Sequence, residues 1–195
     1  MNIQTVRSFI AIPLPQDVQQ TIADWLDDLQ KRQRNGVRWV DPMKMHLTMK
    51  FLGDISPDDI PAIQNEMQLV AAECPAFSFD LKGLGAFPGV YKPRVIWVGV
   101  VSPPAMQQLH HHLTKKLAGI GFPAEERKFS PHLTLGRISR HASEKDVARV
   151  SSILRQPPKI ALPGIPVDCL HLYRSDLHPD GSVYTLLKHA SLKKN

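Results

Sequence analysis

Cysteine is scarce in this chain: Cys74 and Cys169 are the only two among 195 residues, and they lie far apart. Two thiols cannot make the disulfide framework of a small secreted domain, and no spacing suits a metal centre, so a reducing compartment is expected. Long apolar runs are also missing; none approaches the ~18 residues that a membrane-spanning helix needs. The opening residues, Met1-Asn2-Ile3-Gln4-Thr5-Val6-Arg7, lack the basic start and apolar stretch of a secretory signal. A cytoplasmic location without a membrane partner is the expectation. No Gly-x-x-x-x-Gly-Lys-Ser/Thr loop occurs, so the usual cradle for a nucleoside triphosphate is absent, which argues against an ATP-driven ligase. No low-complexity stretch or linker divides the chain, and residues 1–195 are expected to form one domain.

What is present is ordinary for a globular protein: 43% hydrophobic and 22% charged residues. A chain of this size buries roughly 70% of its unfolded surface. Lys and Arg outnumber Asp and Glu by 24 to 18, a net charge of +6 that favours a polyanionic partner.

One short pattern occurs twice. His46-Leu47-Thr48-Met49 lies in the first half and His132-Leu133-Thr134-Leu135 in the second, 86 positions later (46 to 132). On a strand, residues i and i+2 leave the same face, so each imidazole stands beside a hydroxyl while the leucine turns to a core. The surroundings repeat as well. Arg7-Ser8-Phe9-Ile10-Ala11-Ile12 precedes the first copy as Arg94-Val95-Ile96-Trp97-Val98-Gly99 precedes the second. Each opening strand is followed by a proline-led helix start. Each His-x-Thr strand is followed by a serine with an acid three residues on, Ser56 with Asp59 and Ser143 with Asp146, an N-terminal capping signature. Repeats of about 7–73 and 94–155 within one bilobal domain are expected.

Apolar spacing predicts four helices, marked by Val18, Ile22, Trp25 and Leu29; by Ile60, Ile63, Met67 and Val70; by Met106, Leu109, Leu113 and Leu117; and by Val147, Val150 and Leu154. Strand-like runs are 8–12, 38–40, 47–52, 77–84, 95–101, 133–138, 167–173 and 183–187, with Asp180-Gly181 as the turn of a terminal hairpin. The expected fold is α+β: two pseudo-symmetric lobes, each an antiparallel-rich sheet backed by helices. A central cleft carries one His-x-Thr-x strand from each lobe, with both strands central. The tail from Lys188 is expected to fray.

Two histidines facing one cleft suit phosphodiester chemistry. With an unperturbed pKa near 6.5, one imidazole can be neutral and the other protonated at neutral pH. The displacement needs a base on the attacking oxygen and an acid on the departing one, and threonine hydroxyls can donate to the phosphate oxygens where charge accumulates. The bland alternative is that a duplicated strand keeps both histidines for packing. Pseudo-symmetry leaves open which histidine is the acid.

The paired motifs, with Phe9-Ile10-Ala11-Ile12, Gly85-Ala86-Phe87-Pro88, Arg94 to Gly99, and Leu172-Tyr173-Arg174-Ser175 followed by Tyr184, resemble the 2H phosphoesterases. The branch most similar is the RNA 2′,3′-cyclic phosphodiesterases, historically called 2′-5′ RNA ligases. The resemblance spans about residues 7–187 and both motifs are complete. It implies a hydrolase that opens RNA 2′,3′-cyclic phosphate ends to 2′-phosphomonoesters, with 2′-5′ ligation as the reverse reaction. It implies His46 as proton donor, His132 as proton acceptor, and Thr48, Thr134 and Arg137 on the phosphate. No cofactor or metal is expected, and the partner is an RNA or oligonucleotide end bound by a monomer. Other readings are a cyclic phosphodiesterase of small nucleotides or of an ADP-ribose cyclic phosphate, and a non-catalytic RNA-binding module.

Strict alternation turns Arg137, five residues after His132, away from the cleft, unless Gly136 permits a bulge. Lys50, at i+4 from His46, falls on the cleft face by the same rule. His110-His111-His112 fan around a helix and cannot chelate one ion together. Phe9, Trp39, Phe87 and Tyr173 offer a base-stacking platform or core packing.

Overall fold

Apolar residues at helical and strand spacing build thirteen principal elements in the computed structural model, which describes residues 5–125, 128–178 and 181–194. In chain order these are β1 (Val6–Pro13), α1 (Gln16–Arg32), β2 (Val37–Trp39), β3 (His46–Ile55), α2 (Ile60–Glu73), β4 (Phe77–Phe87) and β5 (Val95–Val101). They continue as α3 (Pro104–Ala118), β6 (His132–Ile138), α4 (Glu144–Arg155), β7 (Ala161–Val167), β8 (Cys169–His178) and β9 (Gly181–Ser191).

The strands form two antiparallel sheets, ordered β3-β1-β8-β9 and β2-β6-β5-β4-β7. The α+β fold with two sheets follows the sequence expectation. The placement of the motif strands does not: β3 is an edge strand, and β6 is next to an edge. They are central in another sense, since β3 and β6 approach each other where the sheets meet.

Lobes and chain halves differ. The first sheet takes β1 and β3 from the first half but β8 and β9 from the chain's end, while the second takes β2 and β4 from the first half. Helices cross over too. α3 packs on α2 and β3 of the first sheet. Leu29 of α1 and Gln33, which caps that helix, share a small cavity with Leu84, Ile96 and Leu154 of the second lobe. Arg149 of α4 also donates from Nε to the carbonyl of Arg32 at 2.8 Å.

The helices bury the predicted stripes: Met106, Leu109, Leu113 and Leu117 of α3 are all inaccessible, each contributing about 1.5–3 kcal/mol by burial. In α1, Leu26 rather than Trp25 completes the fully buried row. Both serine–acid signatures form reciprocal capping boxes, Ser56 with Asp59 before α2 and Ser143 with Asp146 at α4.

Two strand expectations need correction. The run 167–173 spans the end of β7 and the start of β8. β7 itself was hidden by Pro163, Gly164 and Pro166, which an edge strand tolerates because its outer backbone needs no partner. The tail does not fray at Lys188. β9 runs to Ser191, Leu192 is buried, and Lys193 bridges Pro75. The turn residue Asp180 lies outside the described residues, between the paired His178 and Gly181.

Candidate active site

Register sets the geometry. Ala11 pairs with Thr48 and Trp97 with Thr134, so the two lobes align at the 86-residue offset of the motifs. Trp97 is therefore the counterpart of Ala11, one position away from the alignment suggested by Arg7 and Arg94. Each motif strand carries a bulge at the same place. Ile10 faces Lys50 and Ala11 faces Thr48, leaving Met49 over; Ile96 faces Gly136 and Trp97 faces Thr134, leaving Leu135 over.

That extra residue reverses alternation beyond the motif. Leu135 and Gly136 are buried in succession, and Arg137 emerges exposed on the side of His132 and Thr134. Gly136 faces the core so closely that a Cβ there would come 2.9 Å from Trp39 and Val37. In β3 the same bulge buries Met49 and Lys50 and turns out Phe51, which is 60% exposed. Lys50 is thus not on the cleft face: it is 3% exposed, and its ammonium donates to the carbonyl of Pro123.

His46 and His132 share one local device. Each Nδ1 hydrogen-bonds the carbonyl two residues before it, Lys44 at 3.0 Å and Ser130 at 2.8 Å. A carbonyl only accepts, so each Nδ1 carries the proton and each Nε2 is left for chemistry.

The imidazoles are walled by rings. His46 stacks on Phe9 at 4.6 Å and meets Tyr184 edge-on at 5.0 Å. His132 meets Phe87 edge-on at 5.0 Å, with Trp97 at 6.4 Å. Burial holds the His46 pKa below the ordinary 6.5, against a smaller opposing effect of the Lys44 carbonyl. The Trp97 indole lies over Gly85, where a Cβ would come within 2.2 Å of the ring.

Of the proposed stacking rings, Phe9 is buried against His46, and Trp39 is partly buried on the core, lining the small cavity with Leu29 and Leu154. Tyr173 is half-buried on Phe9, and Phe87 is 38% exposed. Phe51 is the ring that alternation missed; its signal was the same offset that pairs it with Arg137. His110 stacks on Phe129 at 3.8 Å. Among the described residues, no group of three or more His, Cys, Asp or Glu is placed to hold a metal ion. No described helix is long and apolar enough to cross a membrane.

A two-lobed α+β fold with paired His-x-Thr strands defines a phosphoesterase class, and comparison with known proteins agrees. The LigT like Phosphoesterase family model matches twice, at residues 12–97 and 98–184, so the chain belongs to that family and is an enzyme. An RNA 2′,3′-cyclic phosphodiesterase of Thermotoga maritima is 34% identical over 182 residues, 93% of each chain. One of Methanothermobacter thermautotrophicus is 28% identical over 180 residues, 92% of this chain and 95% of its own. Among solved structures, a Thermus thermophilus protein superposes with a TM-score of 0.79 at 26% identity, covering 96% of this chain and 98% of its own. E. coli LigT complexed with 3′-AMP superposes with a TM-score of 0.73 at 27% identity, covering 97% and 99%.

Proposed function

We propose that this enzyme hydrolyses RNA 2′,3′-cyclic phosphate ends to 2′-phosphomonoesters by paired-histidine catalysis. The observation that carries the reading is the matched pair of imidazoles, each with Nδ1 tied to a backbone carbonyl and Nε2 unbonded among the described residues. Relatives named for this activity across nearly the whole chain support the substrate class.

In this mechanism His132 Nε2 takes a proton from water as the water oxygen attacks phosphorus. His46, protonated at Nε2, gives its proton to the departing 3′ oxygen, and the phosphate remains on the 2′ oxygen. Each proton transfer contributes about 10²–10⁴-fold when positioned. Thr48 and Thr134 donate to the non-bridging oxygens, and the Arg137 guanidinium meets the same charge. These groups supply acid, base and charge stabilisation, so the reaction requires no metal and should survive excess chelator. Ligation is the same path in reverse, with a 5′-hydroxyl in place of water.

The assignment of acid and base follows the family resemblance. Burial favours neutral His46 in the free enzyme, and a bound phosphate favours its protonated form, so substrate and proton bind together.

The test is incubation with an RNA oligonucleotide and a mononucleotide, each ending in 2′,3′-cyclic phosphate, with the product phosphate located by NMR. A 2′-phosphate from the oligonucleotide is expected. A 3′-phosphate, or no product, defeats the reading; turnover of the mononucleotide alone shifts it to small nucleotides.

A further inference from the structure

Arg38 and Arg137 stand directly opposite each other in the β2–β6 ladder. Such residues share a face with Cβ atoms about 4.5–5.5 Å apart, where like charges destabilise the pair. Among the described residues neither guanidinium has an ion pair or a hydrogen bond; the ion pairs formed are Arg32 with Asp28 and Arg174 with Asp176. The neighbouring pair, Trp39 with Gly136, packs toward the core, which leaves Arg38 exposed on the open side with Arg137 and Thr134. Exposed Arg94 adds a third cation at this strand end, where its carbonyl accepts from Ile138 N at 2.9 Å.

An opposed arginine pair is relieved by an anion between or beside its members, and this one sits where more negative charge than one phosphate can be met. In the opposite lobe Arg7 is exposed as Arg94 is, but it stands opposite Asp54, and among the described residues no arginine pair faces across that ladder. Orders β3-β1-β8-β9 and β6-β5-β4-β7 correspond strand for strand, and β2 is left as the one strand without a counterpart. In the first sheet the position matching Arg137 is Phe51, and Lys50 is buried. Beyond the bulges of the motif strands, the cations that face one another among the described residues thus lie on the β2 side.

We propose that Arg38 binds the phosphodiester on the 5′ side of the reacting end, so that an RNA strand leaves the cleft across β2. Arg137 serves the reacting phosphate, and Arg38 the one before it. The inference rests on the reading of the substrate as an RNA cyclic-phosphate end.

The experiment compares a cyclic-phosphate dinucleotide with the cyclic mononucleotide, which lacks the second phosphate. Arg38→Ala should raise KM for the dinucleotide about tenfold and leave the mononucleotide unchanged, with an unaltered melting temperature. The slope of log KM against log salt should become shallower by about 0.7, the share of one single-strand phosphate. Arg38→Lys, which keeps the charge, should retain most of the dinucleotide preference. Equal losses on both substrates would place Arg38 at the reacting phosphate, and no loss on either would remove it from the site; both outcomes overturn the proposal. Binding is read separately, by anisotropy of a labelled single-stranded tetranucleotide carrying a 3′-phosphate. If wild type turns over neither cyclic substrate, the functional reading fails while Arg38 is still judged here. Undiminished affinity in Arg38→Ala, or no binding by wild type, ends the proposal.

Discussion

The imidazole of His46 lies on the ring of Phe9, centroids 4.6 Å apart and planes 26° from parallel. The stack excludes water from one face of the imidazole and contributes to the burial that depresses its pKa. Phe9→Leu keeps an apolar side chain but thins this cover. The His46 pKa, followed by NMR, should move up toward 6.5, and kcat should fall as the ring loses its support. A pKa that stays put would assign the depression to other neighbours.

Replacing His46 or His132 by alanine should each cost several orders of magnitude in kcat, with the double variant little worse than either single one. Groups that serve one transition state behave in this non-additive way. Thr48→Ala and Thr134→Ala, each removing one proposed donor to phosphate, should lose about 10²–10³-fold at most. Sulfur in place of the 3′ oxygen separates the roles, because a thiolate departs without a proton. His46→Ala should then recover much of its rate and His132→Ala should not; rescue of His132→Ala alone would exchange their roles.

Three imidazoles, His46, His110 and His171, have pKa values held below 6.5, in each case first by burial. The fold favours their neutral forms, so below pH 6.5 the unfolded chain binds protons that the folded chain refuses. Stability from these sites is intact above pH 6.5 and declines as pH falls from there toward the folded values. Calorimetry from pH 7 to pH 5 should show a falling Tm, and phosphate, which favours protonated His46, should offset part of the loss. A Tm that rises across this interval would contradict the sign.

Gly136→Ala tests the bulge. Its new Cβ meets Trp39 and Val37 at 2.9 Å, so β2 or the Leu135 bulge must shift. A lower Tm and a loss in kcat/KM larger than that of a surface substitution are expected, since Arg137 depends on the bulge for its direction. Normal activity with lowered stability would detach Arg137 from the reacting phosphate.

The strand geometry of the candidate site was legible because the histidine–threonine spacing matches the strand period and occurs twice. The helices were legible for a similar reason, as with Met106, Leu109, Leu113 and Leu117. Failures came where pairing overrode local pattern. Lys50 and Phe51 exchanged faces because a bulge is a property of two strands, invisible in either alone. β7 escaped because Pro163 and Pro166 read as a loop until an edge position excuses them. The tail joined β9 through partners such as Asp168, whose carbonyl accepts from Leu192 N at 2.7 Å, a contact no local signal announces.

Each half of the chain lends strands and a helix to the sheet that holds the other half's motif. A half-length polypeptide with the first His-x-Thr strand would keep α2 but lose β8 and β9, which cover its histidine and on which α2 packs. It could complete itself only by exchanging those parts with a second copy, giving one shared cleft for two molecules. The covalent join makes that exchange permanent, and so makes the two histidines inseparable from each other by dilution.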